Sequence, residues 1–551
     1  MSSESSSSSN SETSTLALMT PPDSSPGSPI KIQSEYNTPF TPSSSAPISR
    51  SRSPLPAKPS SYTHSLLSLT DNVTSSIASS VYSIGGGPLI SIAKFAILQM
   101  MSSQISYGKL TIVTPQGESH TFPAEGKSVE EEVEDGQKTE VTIKVLKDSF
   151  WLRLVAQGDL GFSEAYMMGE CEVDDLVGVF KIFIKSSPSS SSSTNISGVQ
   201  TIPSRIFSLI TSLTNSRFAN TITNSICNIS AHYDLSNGMF SSFLSRDMTY
   251  SCAIYPELDK DMYDGTEQKR REGGVVDIYN DDGVDELEEA QLAKLRHIIK
   301  KADIRPGHRV LEIGSGWGSL AIEAVKMTNC TVDTITLSSQ QKALAEDRIK
   351  AAGLAGRIRV WLMDYRKLPE SWKGSFDRVV SIEMLEAVGK EFIPGYFGVL
   401  NEMLNERGAA CIQVITIPES RFEKYQQEVD FIRKWIFPGG FLPTVTYTLD
   451  SATQGSKNKL VLDSISNIGP HYARTLREWR HRFIANFDNS VIPALLDEHP
   501  EMGPEDIQVF KRKWIYYFAY CEIGFSERVL GDHIFTFVRE GYSEYGCSTY
   551  Q

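Results

Sequence analysis

The sequence is poor in cysteine, with seven in 551 residues, and no two of them form a C-x-x-C pair. An odd and scattered set of this kind argues against a disulfide-built scaffold and favours a reducing compartment. Basic residues are also in deficit, because 53 Lys and Arg stand against 67 Asp and Glu, for a net charge of −14. Bulk attraction to nucleic acid is therefore disfavoured, and no nucleic-acid partner is predicted.

Long apolar runs are missing as well. No stretch reaches the roughly 18 apolar residues that a membrane-spanning helix requires. The N-terminus is rich in serine and lacks a charged start followed by an apolar core, so no secretory signal peptide is predicted and we expect a cytoplasmic protein. The nearest apolar candidate, residues 88–101, contains Lys94 and is predicted to be an amphipathic or packing helix, with contact to a membrane surface as the alternative.

Composition divides the chain into a tail, a small domain and a large domain. Residues 1–85 are dominated by Ser, Thr and Pro and cannot bury enough apolar surface to offset their ordering entropy, so a disordered tail is predicted. Residues 86–185 contain short alternating apolar segments and a helical pattern, which predict a small α+β domain. A serine-rich linker is expected over residues 186–200, ahead of a large domain at 201–551.

Residues 310–318 form an apolar run that breaks into alternating glycines and continues as a helical pattern. Gly314, Gly316 and Gly318 carry no Cβ, so the backbone there can approach a ligand closely, and the first N–H groups of the following helix face that ligand. The spacing is G-x-G-x-G rather than the dinucleotide pattern G-x-G-x-x-G, and it is typical of S-adenosylmethionine (SAM) methyltransferases. A glycine-rich turn without a ligand is the alternative.

Beyond this turn, strand and helix patterns alternate. The alternation predicts an α/β fold with a doubly wound, mainly parallel, Rossmann-like sheet, whose ligands bind at the carboxyl ends of the strands. A helical, aromatic-rich insertion at about 419–510 interrupts the pattern, and a helix near 510–525 and a strand at 534–538 close the domain. The strands predicted after the turn are residues 330–337, 358–363, 376–382 and 409–417.

Several separated motifs agree, in this order, with one family. They occupy residues 161–169, 231–237, 250–252, 310–318, 336–341, 384–389 and 514–517, together with Cys521. From about residue 108 to residue 541 the chain resembles the cyclopropane-fatty-acyl-phospholipid synthases and the related mycolic acid cyclopropane synthases, which are SAM-dependent methyltransferases. The resemblance implies that the small domain is lipid-binding and that the large domain carries catalysis.

In that family the methyl group of SAM is added to a cis double bond of an acyl chain, usually in a membrane phospholipid. Methyl transfer leaves a carbocation, and loss of a proton from the added methyl closes the three-membered ring. The site must therefore align two reactants, keep water out and supply a base.

The glycine turn, including Ser315, is expected to pass beneath SAM. The ends of the next two strands would supply the ribose and adenine contacts, since ligands of such sheets lie there. The alternative interpretation of Leu337 is a core residue without a ligand contact. The alternative interpretation of Gln341 is an ordinary surface residue on a helix. The resemblance adds two upstream cofactor contacts. Together, the residues outside the turn that are expected to bind SAM are Tyr250, Ser251, Thr336, Leu337, Gln341, Asp364 and Tyr365.

For the base, the resemblance implies a bound bicarbonate. Its predicted holders in this chain are the backbones of Cys252 and Ile415 and the side chains of Glu386 and Tyr517. Gln413 stands where bacterial members usually have His, and Ala387 replaces the His that commonly follows the Glu. A glutamine can donate and accept hydrogen bonds, but it does not titrate as imidazole does, so proton disposal is open at this point.

Three further predictions concern the surroundings of the site. Cys521 matches a family active-site cysteine, whereas its chemistry on an aromatic helix favours a small buried hydrophobe. No metal site is predicted, because the histidines lack zinc-type ligand spacing. Residues 431–441 are a candidate wall and lid for an acyl tunnel, with core packing as the alternative.

The sequence thus predicts a cyclopropane fatty acyl synthase that acts on an unsaturated membrane phospholipid, with SAM as cofactor and peripheral membrane contact. One alternative is a lipid C-methyltransferase that leaves a methyl-branched or methylene product, or acts on a sphingoid base. A lipid-binding protein without catalysis is the alternative from a different class. The resemblance also allows a homodimer.

Overall fold

Two β-sheets organise the chain. The computed structural model describes residues 87–123, 139–186, 236–263 and 284–545. The predicted tail, residues 187–200 of the predicted linker and the motif residues 231–235 lie outside the described residues.

The small sheet has the strand order β2-β1-β3-β4, with β1 parallel to β3 and the two outer strands antiparallel to their neighbours. Its alternating burial explains why these segments were recognisable, since every second residue of β3 is buried. The strands are β1 (Lys109–Val113), β2 (Ser119–Phe122), β3 (Glu140–Val145) and β4 (Cys171–Val173), and the helices packed with them are α1 (Gly87–Gln104), α2 (Ser149–Gln157), α3 (Asp159–Met167) and α4 (Leu176–Ser186).

The large sheet has seven strands in the order β10-β11-β9-β8-β5-β6-β7. The five strands from β9 to β7 in this order are parallel to one another. Strand β11 runs antiparallel to β9, and β10 runs antiparallel to β11. The strands are β5 (Arg309–Ile313), β6 (Thr331–Thr336), β7 (Ile358–Leu362), β8 (Phe376–Ile382), β9 (Leu404–Thr416), β10 (Leu460–Asn467) and β11 (Gly531–Arg539). The predicted doubly wound α/β fold is thereby confirmed.

Helices cover both faces of this sheet or precede it in the chain. They are α5 (Asn237–Ser241), α6 (Lys260–Tyr263), α7 (Glu286–Lys301), α8 (Ser319–Thr328), α9 (Ser339–Ala351), α10 (Ile393–Met403), α11 (Glu419–Gln427), α12 (Val445–Ser456), α13 (Gly469–Ala485), α14 (Ile492–Glu498) and α15 (Pro504–Ser526). The start of α7 follows from its sequence, because the Asp285 carboxylate accepts hydrogen bonds from the backbone N–H groups of Leu287 and Glu288.

The insertion predicted at about 419–510 is not wholly helical. It contributes β10, which pairs antiparallel with β11 at the edge of the large sheet. Most residues of β10 are exposed or half-buried, as expected of an edge strand, and the segment therefore lacks the apolar run that marks the central strands. This is a correction to the sequence prediction.

Helix α15 contacts both parts of the molecule. The Tyr516 ring on this helix is buried and lies 5.2 Å from Phe180 of the small α+β part and 4.6 Å from Phe431 of the insertion. Lys434 of the insertion also forms a 2.6 Å ion pair with Glu164 on α3. Because Tyr517 follows directly in the chain, this packing fixes the position of a predicted site residue.

The predicted helix at residues 88–101 is present as α1. Ala93, Ile97 and Met101 are buried on one side of it, whereas Leu89, Ile92 and Phe95 are exposed on the other. Among the described residues, no helix combines the length and apolar content that a bilayer crossing requires.

Gly455 provides a test of the packing between α10 and α12. A methyl group there would overlap the carbonyl oxygen of Pro394 and lie 2.9 Å from Cβ of Phe397. We expect Gly455→Ala to lose about 1–3 kcal/mol through overpacking, although alanine is ordinarily the better helix former. Urea unfolding measures this loss. Gly356→Ala, at an exposed turn with no neighbouring atom within 4 Å, is the control and should be nearly neutral; equal midpoints for the two variants would contradict the prediction.

Candidate active site

An open cleft lies at the carboxyl ends of β5, β6 and β8. The chain runs outward from β5 through β6 to β7 and then returns to β8 on the other side of β5, so this is the point at which the strand order reverses. Ligands of doubly wound sheets bind at such a point. The cleft is therefore where the fold itself places a cofactor.

The glycine turn forms the floor of the cleft. Gly314, Gly316 and Gly318 have φ angles of 98°, 46° and 85°, which residues with a Cβ rarely adopt. Gly314, Ser315 and Gly316 line the cleft, whereas Gly318 lies behind it at the start of α8, where a Cβ would be 3.3 Å from Ala345. The turn is thus shaped by three left-handed residues, two of which face the cleft.

The end of β6 supplies the next wall. Thr336, Leu337 and Gln341 all line the cleft. The Thr336 hydroxyl donates to Oε1 of Gln341 over 2.8 Å, and the backbone N–H of Ser338 donates to the same hydroxyl over 3.1 Å. Gln341 is buried, so the structure does not support a surface residue there, and its carbonyl oxygen is fixed by Thr336.

After β7 the structure separates two residues that were predicted together. Tyr365 lines the cleft, but Asp364 is not among the lining residues. The Asp364 carboxylate instead accepts hydrogen bonds from the backbone and guanidinium of Arg366, with a shortest distance of 2.6 Å. Asp364 therefore caps a short turn and pairs with Arg366, and its predicted adenine contact stays a prediction.

The upstream segment closes the cleft from the other side. Tyr250 and Ser251 line it, and the Tyr250 hydroxyl lies 3.1 Å from the hydroxyl of Tyr517. The hydroxyl of Ser251 accepts a 2.5 Å hydrogen bond from Nζ of Lys294, which is fully buried on α7. Burial lowers the pKa of this lysine.

Lys294 and Glu312 are charged lining residues that were missed from the sequence. Lys294 occupies a position on the buried face of α7, between Gln291 and Ile298. Glu312 interrupts the apolar strand β5, and its burial raises its pKa to about 8. Both residues could have been recognised from the sequence, because each is a charged residue at a position where the pattern predicts an apolar one.

The predicted base-holding residues come together beside the cleft. Oε1 of Glu386 accepts a 2.5 Å hydrogen bond from the backbone N–H of Ile415, while Oε2 is buried with no partner among the described residues. Burial, and next the charge of Glu383, raise the pKa of Glu386 to about 8. Glu386 is therefore placed to hold or move a proton near neutral pH.

Gln413 and Cys252 have a partner that the sequence did not reveal. Nε2 of Gln413 and the backbone N–H of Cys252 each donate to Oε1 of Glu383 over 2.8 Å. Glu383 lines the cleft beside Met384 and Ala387. The site thus contains a further acidic residue, three positions before Glu386, that accepts hydrogen bonds from two positions expected to contact bicarbonate.

Cys521 lies one helical turn after Tyr517 on α15, buried and outside the residues that line the cleft. Burial raises the pKa of its thiol, which disfavours the reactive thiolate. The five cysteines in the described residues, Cys171, Cys252, Cys330, Cys411 and Cys521, are free and buried.

The fold and the cleft are those of a Rossmann-like SAM-dependent methyltransferase. Within that class, residues 220–535 match the family described as mycolic acid cyclopropane synthetase. The chain belongs to this family, whose members are SAM-dependent methyltransferases. The resemblance read from the sequence motifs is confirmed.

Two curated relatives and one solved structure illustrate the match. Tuberculostearic acid methyltransferase UfaA1 of Mycobacterium tuberculosis is 36% identical over 314 residues, which cover 57% of this chain and 65% of the relative. Cyclopropane-fatty-acyl-phospholipid synthase of Escherichia coli is 30% identical over 389 residues, or 70% of this chain and 85% of the relative. The cyclopropane synthase MmaA2 structure from Mycobacterium tuberculosis is 24% identical, with a TM-score of 0.45, and covers 57% of this chain and 98% of its own.

Gly314 tests the role of the turn in cofactor binding. Alanine at a φ of 98° costs about 1–2 kcal/mol, and its Cβ would lie 3.4 Å from Cγ of Met384 in the cleft wall. We expect Gly314→Ala to weaken SAM binding about tenfold or more, which corresponds to about 1.4 kcal/mol, as measured by calorimetry. Gly307→Ala is the matched control, since Gly307 has a φ of 82° but lies outside the cleft. Equal affinities for both variants would show that the turn does not hold SAM.

Proposed function

We propose that this protein transfers the methyl group of SAM to a cis double bond of an unsaturated phospholipid acyl chain and closes a cyclopropane ring. The observation that carries the proposal is that one cleft joins the glycine turn to Glu383 and Tyr250. A methyl donor on the turn would therefore lie in the same space as an acidic group and an aromatic ring. The name of the Escherichia coli relative supports the same reaction.

SAM, when bound, supplies a methyl group on a positively charged sulfur. The residues of this chain must then stabilise the lipid carbocation without capturing it. The Tyr250 ring lines the cleft and lies 5.0 Å from Trp479 and 5.2 Å from Phe240, two fully buried rings that pack against it. An aromatic ring in the lining can attract a cation through its π face.

The acyl chain needs an apolar path to this point. The insertion residues 431–441 supply candidates, because the Phe437 ring lies 6.1 Å from Tyr517, whose hydroxyl contacts Tyr250. We assign this segment to the wall of the acyl site. The exposed Leu89, Ile92 and Phe95 on α1 would provide the apolar insertion through which a protein of net negative charge contacts a membrane.

A second candidate is C-methylation of a fatty acyl chain without ring closure. It is favoured by Gln413, which cannot titrate where the resembling enzymes usually carry His, and by the name of the UfaA1 relative, a methyltransferase. The same cation would then lose a different proton or undergo a shift first. The two candidates share the cofactor, the acceptor and the cleft.

Methyl-labelled SAM and liposomes of monounsaturated phosphatidylcholine test the proposal. After incubation with the purified full-length protein, mass spectrometry of the released acyl chains locates the label. Label in a cyclopropane ring supports ring closure, and label in a branched or methylene chain selects the second candidate. If no acyl chain carries label although the protein still binds the liposomes, a lipid-binding protein without catalysis is the better description.

Glu386→Gln tests the carboxylate site. The amide oxygen can still accept from the N–H of Ile415, so the fold should persist while the acidic function is lost. We expect turnover to fall by about 100-fold or more and SAM affinity to change little, as measured by label transfer and calorimetry. Glu391→Gln, at an exposed carboxylate nearby, should leave both unchanged. Full activity in Glu386→Gln would show that the Glu386 carboxylate is not required for turnover.

A further inference from the structure

Glu383 sits at the carboxyl end of β8 in an unusual backbone conformation. Its φ angle is 47°, although it is not a glycine. Oε1 accepts from the N–H of Cys252 and from Nε2 of Gln413, both over 2.8 Å, and Oε2 accepts a 2.6 Å hydrogen bond from the hydroxyl of Tyr472. Three donors from three separate segments therefore converge on one carboxylate.

These donors overlap with the set predicted to hold bicarbonate. The backbone of Cys252 and the side chain at position 413 donate to Glu383, and the backbone of Ile415 donates to Glu386. A bicarbonate in the same place would have to displace Glu383 from its donors. It would also put a second anion beside this carboxyl group, and the repulsion between like charges disfavours that arrangement. The residues present do not fit the bicarbonate that the resemblance implies.

Asp532 completes the arrangement. Nε2 of Gln413 also donates to its Oδ2 over 2.7 Å, and Asp532 is fully buried on β11. Burial, and then the charge of Glu383, raise the pKa of Asp532 well above its usual range, which disfavours the ionised form of Asp532. Burial also raises the pKa of Glu383, and the hydrogen bond from the N–H of Cys252 and the charge of Lys294 oppose that rise. Gln413 thus links two carboxyl groups, of which Glu383 is the one that lines the cleft.

We propose that Glu383 is the proton acceptor of the reaction and takes the place that bicarbonate has in the resembling enzymes; this inference rests on the proposed function. In the ring-closing step a C–H bond of the added methyl breaks, and its electron pair forms the third C–C bond of the ring. The proton passes to the Glu383 carboxylate and is released to solvent after the product leaves. No external anion takes part.

The test compares turnover with and without bicarbonate. Full-length protein in carbon-dioxide-free buffer is given methyl-labelled SAM and monounsaturated phosphatidylcholine liposomes, with or without millimolar bicarbonate. Wild type should be equally active in both. Glu383→Gln, which keeps the size of the side chain, should lose about 100-fold or more of its turnover and keep its SAM affinity. Glu391→Gln is again the exposed control.

Glu383→Gly makes the test sharper. A φ of 47° suits glycine, so the backbone should be retained, while removal of the carboxylate frees the N–H of Cys252 and Nε2 of Gln413. Bicarbonate should then restore activity to this variant. Calorimetry provides a readout besides turnover, because bicarbonate should bind saturably to Glu383→Gly and not to wild type.

Each other result overturns a defined part of the inference. Three results would each show that Glu383 is not the acceptor and would leave the proposed function in place. They are stimulation of the wild-type protein by bicarbonate, saturable binding of bicarbonate to the wild-type protein, and wild-type turnover in Glu383→Gln. Absence of label from every lipid treated with wild type would overturn the proposed function and the acceptor role together.

Discussion

A carboxylate enclosed by protein is stable only when hydrogen-bond donors replace the water that it has lost. At Glu383 those donors come from the upstream segment, from β9 and from α13, through Cys252, Gln413 and Tyr472. The ion therefore joins segments that lie far apart in the sequence and defines one wall of the cleft. The placement of these three segments around the cleft is therefore linked to the carboxyl group that the proposed chemistry uses.

The amide of Gln413 reaches two acidic side chains at once. A histidine at position 413 would present one ring nitrogen in a given direction, whereas the terminal amide nitrogen of Gln413 carries two N–H groups and donates to Glu383 and Asp532 at once. Gln413 thus replaces a titrating imidazole with an amide that two carboxyl groups share. In the proposed reaction the acidic chemistry belongs to side chains of the chain itself.

The sequence predicted the large sheet well because its strands are apolar and glycines separate them, and it predicted β8 with its observed bounds. It did not predict β10, because this edge strand is mostly exposed or half-buried and lacks an apolar run that would distinguish it from a loop. Within the site, residue type and position after a strand identified the lining at Thr336, Gln341 and Tyr365. The sequence pattern could not show that Arg366 pairs with Asp364. It also could not show that Glu383 accepts the hydrogen bond from the N–H of Cys252 that was expected to go to bicarbonate, because side-chain partners depend on tertiary packing.

The left-handed backbone at Glu383 has an evolutionary consequence. A φ of 47° is a conformation that glycine adopts without cost, so the main chain at this point accepts either residue. Glycine and glutamate codons can differ by a single base. Under the proposed role of Glu383, an enzyme that recruits an ion from solution and one that carries its own carboxylate are therefore one base change apart at a position whose backbone suits both residues.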